Sequence, residues 1–253
     1  MRSRISISAK RLGEVALPSF CERCFWLRHR LGNKLPYQIF PGIFSSIDSY
    51  TRKVVHRWFD QHGTPPPWLA GLGAIGGYRE PPHYSKFNHV EERLGIQIRG
   101  SPDAIFIRRD GSHLIADYNT ARFTDKQDQL FPMYEAQLNA YALIGERRGL
   151  APVSELALIY MEPFTDEEAA ASRRNRRENG FAMEFSAHVL SVTIDPKRLR
   201  DLLVRVREIC DRAKPPPSRS NCGDCRLVEQ LVAIGGRARP NLVPGLQSLE
   251  RLS

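Results

Sequence analysis

Residues 100–120 read Gly100-Ser-Pro-Asp-Ala-Ile-Phe-Ile-Arg-Arg-Asp-Gly-Ser-His-Leu-Ile-Ala-Asp-Tyr-Asn-Thr120, and the rest of the chain can be placed around them. Ala104 to Arg108 is β-branched and apolar, and Ser112 to Tyr118 looks like a partner strand. Between them Arg109, Asp110 and Gly111 have turn chemistry, because Asp and Gly tolerate the backbone conformations a tight reversal needs. The two runs are therefore predicted to form a hairpin. Asp103 starts it and Asp117 lies near its far end, so folding brings both carboxylates to the same end of the sheet. Two convergent carboxylates are the donors a hard divalent cation such as Mg²⁺ takes. Taken alone, Asp103 equally suits a turn after Pro102. Asp117 demands more: a carboxylate inside an apolar strand is costly without a partner, and a metal is one candidate.

Working outward, a helix is predicted from about Met133 to Arg148. Gln137 and Tyr141 stand one turn apart on it, so they share a face that can point at the strand ends bearing the two acids. Ser154 to Tyr160 and Phe185 to Ile194 read as strands. Asp195-Pro196 opens a helix to about Ala213, with Pro in its first turn. The charged segment from Phe164 to Glu184 is predicted to be an exposed excursion. Its arginines 173, 174, 176 and 177 suit a DNA backbone or plain solvent. Before Gly100, strands are expected in His89-Val-Glu-Glu and in Leu94 to Ile98. Residues 61–88 are expected to be a connecting loop, since Gly71-x-Gly73-x-x-Gly76 follows no predicted strand and has no P-loop lysine. Ile47, Tyr50, Val54, Val55, Trp58 and Phe59 recur at helical spacing, which predicts an amphipathic helix, with Asp48 as a cap and His56 at the surface. A further helix is expected between Pro18 and Gly32, and Ser6 or Ser8 suits the cap of a short one. The pattern is α/β: a central mixed sheet flanked by helices, one domain over residues 1–235, and a basic, mobile tail over 236–253.

The 253 residues are 42% hydrophobic, enough for a substantial core, which excludes a disordered chain. No apolar run of ~18 residues is present, so no membrane span is expected. Arg2, Arg4, Lys10 and Arg11 interrupt any signal-peptide core, which predicts a cytoplasmic protein. The net charge of +9, from 37 basic and 28 acidic residues, favours a polyanionic partner.

Four of the five cysteines come in pairs, Cys21-Glu-Arg-Cys24 and Cys222-Gly-Asp-Cys225. Two such pairs supply four thiolates, the complement for a tetrahedral zinc or an iron–sulfur cluster. In an intracellular chain they read as metal sites before disulfides. A site joining residue 21 to residue 225 ties the two ends of the chain together. Cys210, at the end of a predicted helix, reads as a core thiol.

Asp103, the run Asp117-Tyr118-Asn119, and Gln137 with Tyr141 together resemble the PD-(D/E)XK nuclease superfamily, in its RecB-type branch with the added Gln-x-x-x-Tyr motif. The resemblance extends over most of the chain. It implies a PD-(D/E)XK core and a Mg²⁺ or Mn²⁺ site on Asp103, Asp117 and the main-chain carbonyl of Tyr118. Asn119, Gln137 and Tyr141 would complete the catalytic set. It further implies a RecB-like, metal-dependent DNA nuclease of repair, recombination or defence, taking DNA with a free end or single strands, alone or within a larger nucleic-acid-processing complex. Asn119 departs from the pattern, standing where the family has lysine. An amide can donate a hydrogen bond to a water but serves neither as base nor as cation. Lys126 is the nearest substitute in sequence. The alternative is a weakened or inactive member that still binds nucleic acid or a partner complex. RecB-type nucleases often place another metal ligand on an early helix, where Asp48 and His56 stand, although neither sits in a matching motif. Several RecB-type and CRISPR-associated nucleases also close their fold with a [4Fe–4S] cluster, held by one N-terminal and three C-terminal cysteines. This chain has two and two, with Leu231 where the last would fall and Cys24 able to replace it. A cluster is the expectation, and a structural Zn²⁺ the alternative.

Overall fold

The computed structural model describes residues 3–33, 42–123 and 129–237. In chain order the first elements are β1 (Ile5–Ser8), α1 (Ala9–Glu14), α2 (Glu22–Arg30), α3 (Ile43–His62), a 3₁₀ segment (Pro67–Leu72), β2 (Ile75–Arg79), β3 (Asn88–Glu91) and β4 (Ile96–Arg99). There follow β5 (Ala104–Arg108), β6 (His113–Asn119), α4 (Phe131–Arg147), β7 (Val153–Pro163), α5 (Glu167–Ala171), β8 (Arg176–Arg177), β9 (Gly180–Phe181), β10 (Phe185–Val192), α6 (Pro196–Asp211) and α7 (Gly223–Arg237). The chain divides into two compact units, one of residues 1–20 and 37–208, the other of residues 21–36 and 209–253.

The larger unit is built on a mixed five-stranded sheet in the order β10-β7-β6-β5-β2. The predicted hairpin is β5–β6, with Ala104 opposite Ala116 and Ile107 opposite His113. Its turn closes through Asp110, whose Oδ1 accepts from the N–H and the hydroxyl of Ser112 at 2.9 and 2.7 Å. Gly111 takes φ 84°, a conformation that costs any residue with a Cβ. β6 pairs with β7 in parallel. A parallel neighbour cannot be reached by a tight turn, and α4 lies in the connection between them.

Side chains alternate across the sheet. Ala104, Phe106, Leu114, Ala116, Tyr118, Ala157, Ile159 and Met161 face one side, where Val55 and Phe59 of α3 and Leu69 and Leu72 of the 3₁₀ segment complete a buried cluster. The opposite parity places Ile105, Ile115 and Asp117 on the other side. There α4 covers the sheet so closely that a Cβ on Gly145 would lie 3.2 Å from Ile115 Cδ1. α1 packs on α4 in turn. A Cβ on Gly13 would stand 2.3 Å from the Met133 carbonyl oxygen, so only glycine permits this approach.

A second, three-stranded sheet has the order β1-β4-β3, with β1 parallel and β3 antiparallel to β4. Ser8 ends β1 and caps α1, its Oγ accepting from the Arg11 N–H at 3.2 Å. Residues 61–88 are not a plain loop. They hold the 3₁₀ segment and β2, which pairs with β5 along the sheet edge with a register shift between Ile75 and Gly77. The excursion after β7 is exposed, with arginines 173, 174, 176 and 177 at its surface, and it carries α5 and the two-residue strands β8 and β9.

In the smaller unit α2 and α7 carry the cysteine pairs. Trp26 Nε1 donates to the Arg212 carbonyl at 2.9 Å, and Arg30 donates to the same oxygen at 2.7 Å. Arg23 and Glu229 join α2 to α7 through a 2.8 Å ion pair. Among the described residues no helix is long and apolar enough to cross a membrane. Lys126 and the tail beyond residue 237 lie outside the described residues.

Candidate active site and cysteine centre

Extending the β5–β6 ladder by one residue sets Asp103 opposite Asp117, both on the side covered by α4. The two acids are cross-linked through the main chain. The Asp103 N–H donates to Asp117 Oδ1 at 3.0 Å, and the Tyr118 N–H donates to Asp103 Oδ2 at 3.0 Å. From α4, Gln137 Nε2 donates to Asp117 Oδ2 and to the Tyr141 hydroxyl, the latter at 3.2 Å. The Ser101 N–H also donates to that hydroxyl. The Tyr141 ring lies flush on the loop, since a Cβ on Gly100 would come within 2.4 Å of Tyr141 Cε1. One helix turn therefore clamps both the Gly100-Ser-Pro-Asp103 loop and the acid of β6. Asn119 sits half-buried on the same face of β6, two residues past Asp117 and opposite Tyr160 of β7.

Asp117, Gln137 and Tyr141 are all buried. Burial pushes the Asp103 carboxyl up to about 6, although the Tyr118 N–H and the charges of Arg52 and Lys10 pull it back. Burial, then the charge of Asp103, raises Asp117 well above the carboxylate range. Burial followed by the two nearby acids raises Tyr141, which stays a neutral phenol. Gln137 Oε1 is buried without a hydrogen-bond partner. A buried and a half-buried carboxylate that repel one another, with a spare amide oxygen beside them, form a donor set that fits a hard cation.

Asp48 and His56 depart from expectation. α3 begins at Ile43 with Gly42 as its cap residue, so Asp48 is not a cap but a residue of the second turn. Its Oδ1 accepts from Thr120 Oγ1 at 3.2 Å, just past the end of β6. Its charge acts on both Asp103 and Asp117, and burial raises its own pKa. His56 is not at the surface. It is 7% exposed, with Nδ1 3.0 Å from Glu80 Oε1 and its ring stacked on Tyr78 at 3.9 Å. Burial lowers its pKa against the pull of Glu80. Reading the sequence missed Arg52, Lys10, Ser101 and Thr120 as neighbours of the acids. The only local sign was that Arg52 lies one helical turn past Asp48.

The four paired cysteines converge. Each pair straddles a helix start: Cys21 precedes α2 and Cys24 lies in its first turn, while Cys222 precedes α7 and Cys225 lies in its first turn. The sulfurs of Cys21 and Cys225 are 3.7 Å apart, those of Cys24 and Cys222 3.5 Å, and those of Cys24 and Cys225 3.3 Å. All four lie within 4.8 Å of one another, an arrangement that could hold a metal ion. The Arg219 N–H donates to Cys21 Sγ at 3.4 Å. Against the effect of burial, that N–H and its neighbours bring the Cys21 thiol down to about 6, whereas burial raises Cys225 to about 11 and Cys24 further. Cys210 is buried and outside the group, and Leu231 is exposed on α7.

No protein-family model matches the chain, and no curated protein matches its sequence. Among solved structures, the crystal structure of SSO0001 is similar at 13% identity, over 85% of this chain and 81% of that one, with a TM-score of 0.39.

Proposed function

We propose that the protein is a divalent-metal-dependent DNA nuclease of the PD-(D/E)XK type, with Asp103 and Asp117 as its metal-binding acids. The observation that carries this reading is the pair itself: two carboxylates on adjacent strands, cross-bonded through main-chain N–H groups and clamped by Gln137 and Tyr141. The hairpin that bears them, followed by α4 and the parallel strand β7, supports a core of that type. The N–H and C=O of a strand residue point to the same edge, so the Tyr118 carbonyl faces the side where Asp103 lies and suits a third ligand. A bound Mg²⁺ or Mn²⁺ supplies Lewis acidity and an acidified water.

The chain's own groups have separate tasks. Gln137 orients the Asp117 carboxylate and ties it to Tyr141. Arg52 and Lys10 bring positive charge to a site whose lysine position holds Asn119, and Asn119 can only orient a water. α3 offers DNA a further surface. Tyr50, Lys53, Val54, Arg57, Trp58 and Gln61 line a shallow hollow of about 430 Å³ on its outer face, without an acidic member. Aromatic rings among cations suit single-stranded bases and phosphates.

The test is Mn²⁺-dependent cleavage of single- and double-stranded DNA. Native protein should cleave, and Asp103→Ala and Asp117→Ala should each lose at least a hundredfold. Cleavage surviving loss of both acids removes the reaction from this site. Asn119 favours a second reading, a DNA-binding protein with a weakened centre. Activity that appears only in Asn119→Lys would select it.

A further inference from the structure

We propose that Cys21, Cys24, Cys222 and Cys225 hold a single tetrahedral Zn²⁺ and not the iron–sulfur cluster that the sequence resemblance implies. Size separates the two. Four sulfurs bonded at ~2.3 Å to one central ion stand ~3.8 Å apart at the corners of a tetrahedron. Three of the pairs here are separated by 3.3, 3.5 and 3.7 Å, and no pair exceeds 4.8 Å. A [4Fe–4S] cube bonds each thiolate to its own corner iron, which spreads the four sulfurs to about 6 Å. A [2Fe–2S] rhomb likewise places the two thiolates of one iron well away from those of the other. Neither fits inside 4.8 Å unless the ends of two helices part.

The local build agrees with a closed structural site. Both pairs use the same device, a cysteine just before a helix and a second in its first turn, so each offers two sulfurs from a rigid corner. Cys21, Cys222 and Cys225 are 6, 7 and 3% exposed, and Cys24 is half-buried. Four thiolates fill all four positions of a tetrahedral ion and leave none for a substrate or an exchangeable water, which separates a structural from a catalytic zinc. The centre also fastens the smaller unit, joining Cys24 to Cys222 across 198 residues of sequence. A metal that binds only the folded arrangement adds its binding energy to folding. The inference is independent of the nuclease reading, because none of its four ligands belongs to the acid site.

The experiment is metal analysis of protein prepared without oxygen from cells supplied with both iron and zinc. The expected result is a colourless protein with about one zinc per chain and no acid-labile sulfide. One equivalent of Co²⁺ should exchange in and give the visible bands of a tetrahedral four-thiolate ion. Stripping the zinc should lower the unfolding temperature. Brown protein with iron and sulfide in equal amounts would overturn the inference, and so would a chain that takes up neither metal. Cys24→Ala should lose the zinc, and if that variant fails to fold, the Co²⁺ titration of the native chain still decides.

Discussion

Replacing Asp103 with Asn should stabilise the metal-free protein, and added Mn²⁺ should bring wild type back level with it. In the folded chain the Asp103 carboxyl stands at about 6, against an ordinary value of 3.8. A group that holds its proton more tightly in the folded state contributes full stability below about pH 4 and loses it as the pH rises through 6. Each unit is worth about 1.4 kcal/mol, so ionising Asp103 without a metal removes roughly 3 kcal/mol at neutral pH. Asp117 adds to the loss in the same direction, because burial and the Asp103 charge raise it as well. An amide at 103 removes both the ionisation and the repulsion, while its oxygen can still accept from the Tyr118 N–H. At about 2–4 °C per kcal/mol, the gain in unfolding temperature at pH 8 should be roughly 6–12 °C, shrinking towards zero near pH 4. A hundredfold excess of Mn²⁺ over its dissociation constant should then stabilise wild type by about 2.7 kcal/mol and leave Asp103→Asn unchanged. Scanning calorimetry of both proteins from pH 5 to 8, with and without Mn²⁺, reads every part of this. Equal unfolding temperatures at pH 8 without metal, or equal stabilisation by Mn²⁺, would refute the reasoning.

Gly100→Ala places a methyl group 2.4 Å from Tyr141 Cε1 and must push the loop off α4. It should cost about 1–3 kcal/mol in denaturant unfolding and weaken Mn²⁺ binding; unchanged metal affinity would contradict the clamp. His56→Ala removes a buried ring stacked on Tyr78 and paired with Glu80, and should cost about 2 kcal/mol while leaving Mn²⁺ binding intact. Loss of the metal in that variant would move His56 into the site.

The parts of the fold that could be read in advance are those whose signals are local. The β5–β6 hairpin announces itself through Asp110-Gly111 between two β-branched runs, and α4 through its periodicity. The pairing of Gln137 with Tyr141 follows from helical spacing alone. β2 escaped because Gly76 and Gly77 interrupt the β pattern, and its pairing with β5 depends on tertiary contact. Asp48 was misread because an acid near a helix start resembles a cap. Its partner Thr120 lies 72 residues away and leaves no trace beside it in sequence. His56 follows Val55 on α3, and a lone histidine there reads as solvent-facing. Only Glu80, contributed from just after β2, makes its burial tolerable. Cysteine spacing declared two pairs, but a cluster and a single ion differ by sulfur separations that spacing does not encode.

The most direct test of the acid site is to count Mn²⁺ by electron paramagnetic resonance in native protein and in Asp103→Ala and Asp117→Ala, with the cysteine centre intact in all three. Loss of bound Mn²⁺ in each acid variant, matched by loss of DNA cleavage, is the predicted result. Mn²⁺ bound equally well in all three proteins would contradict the account.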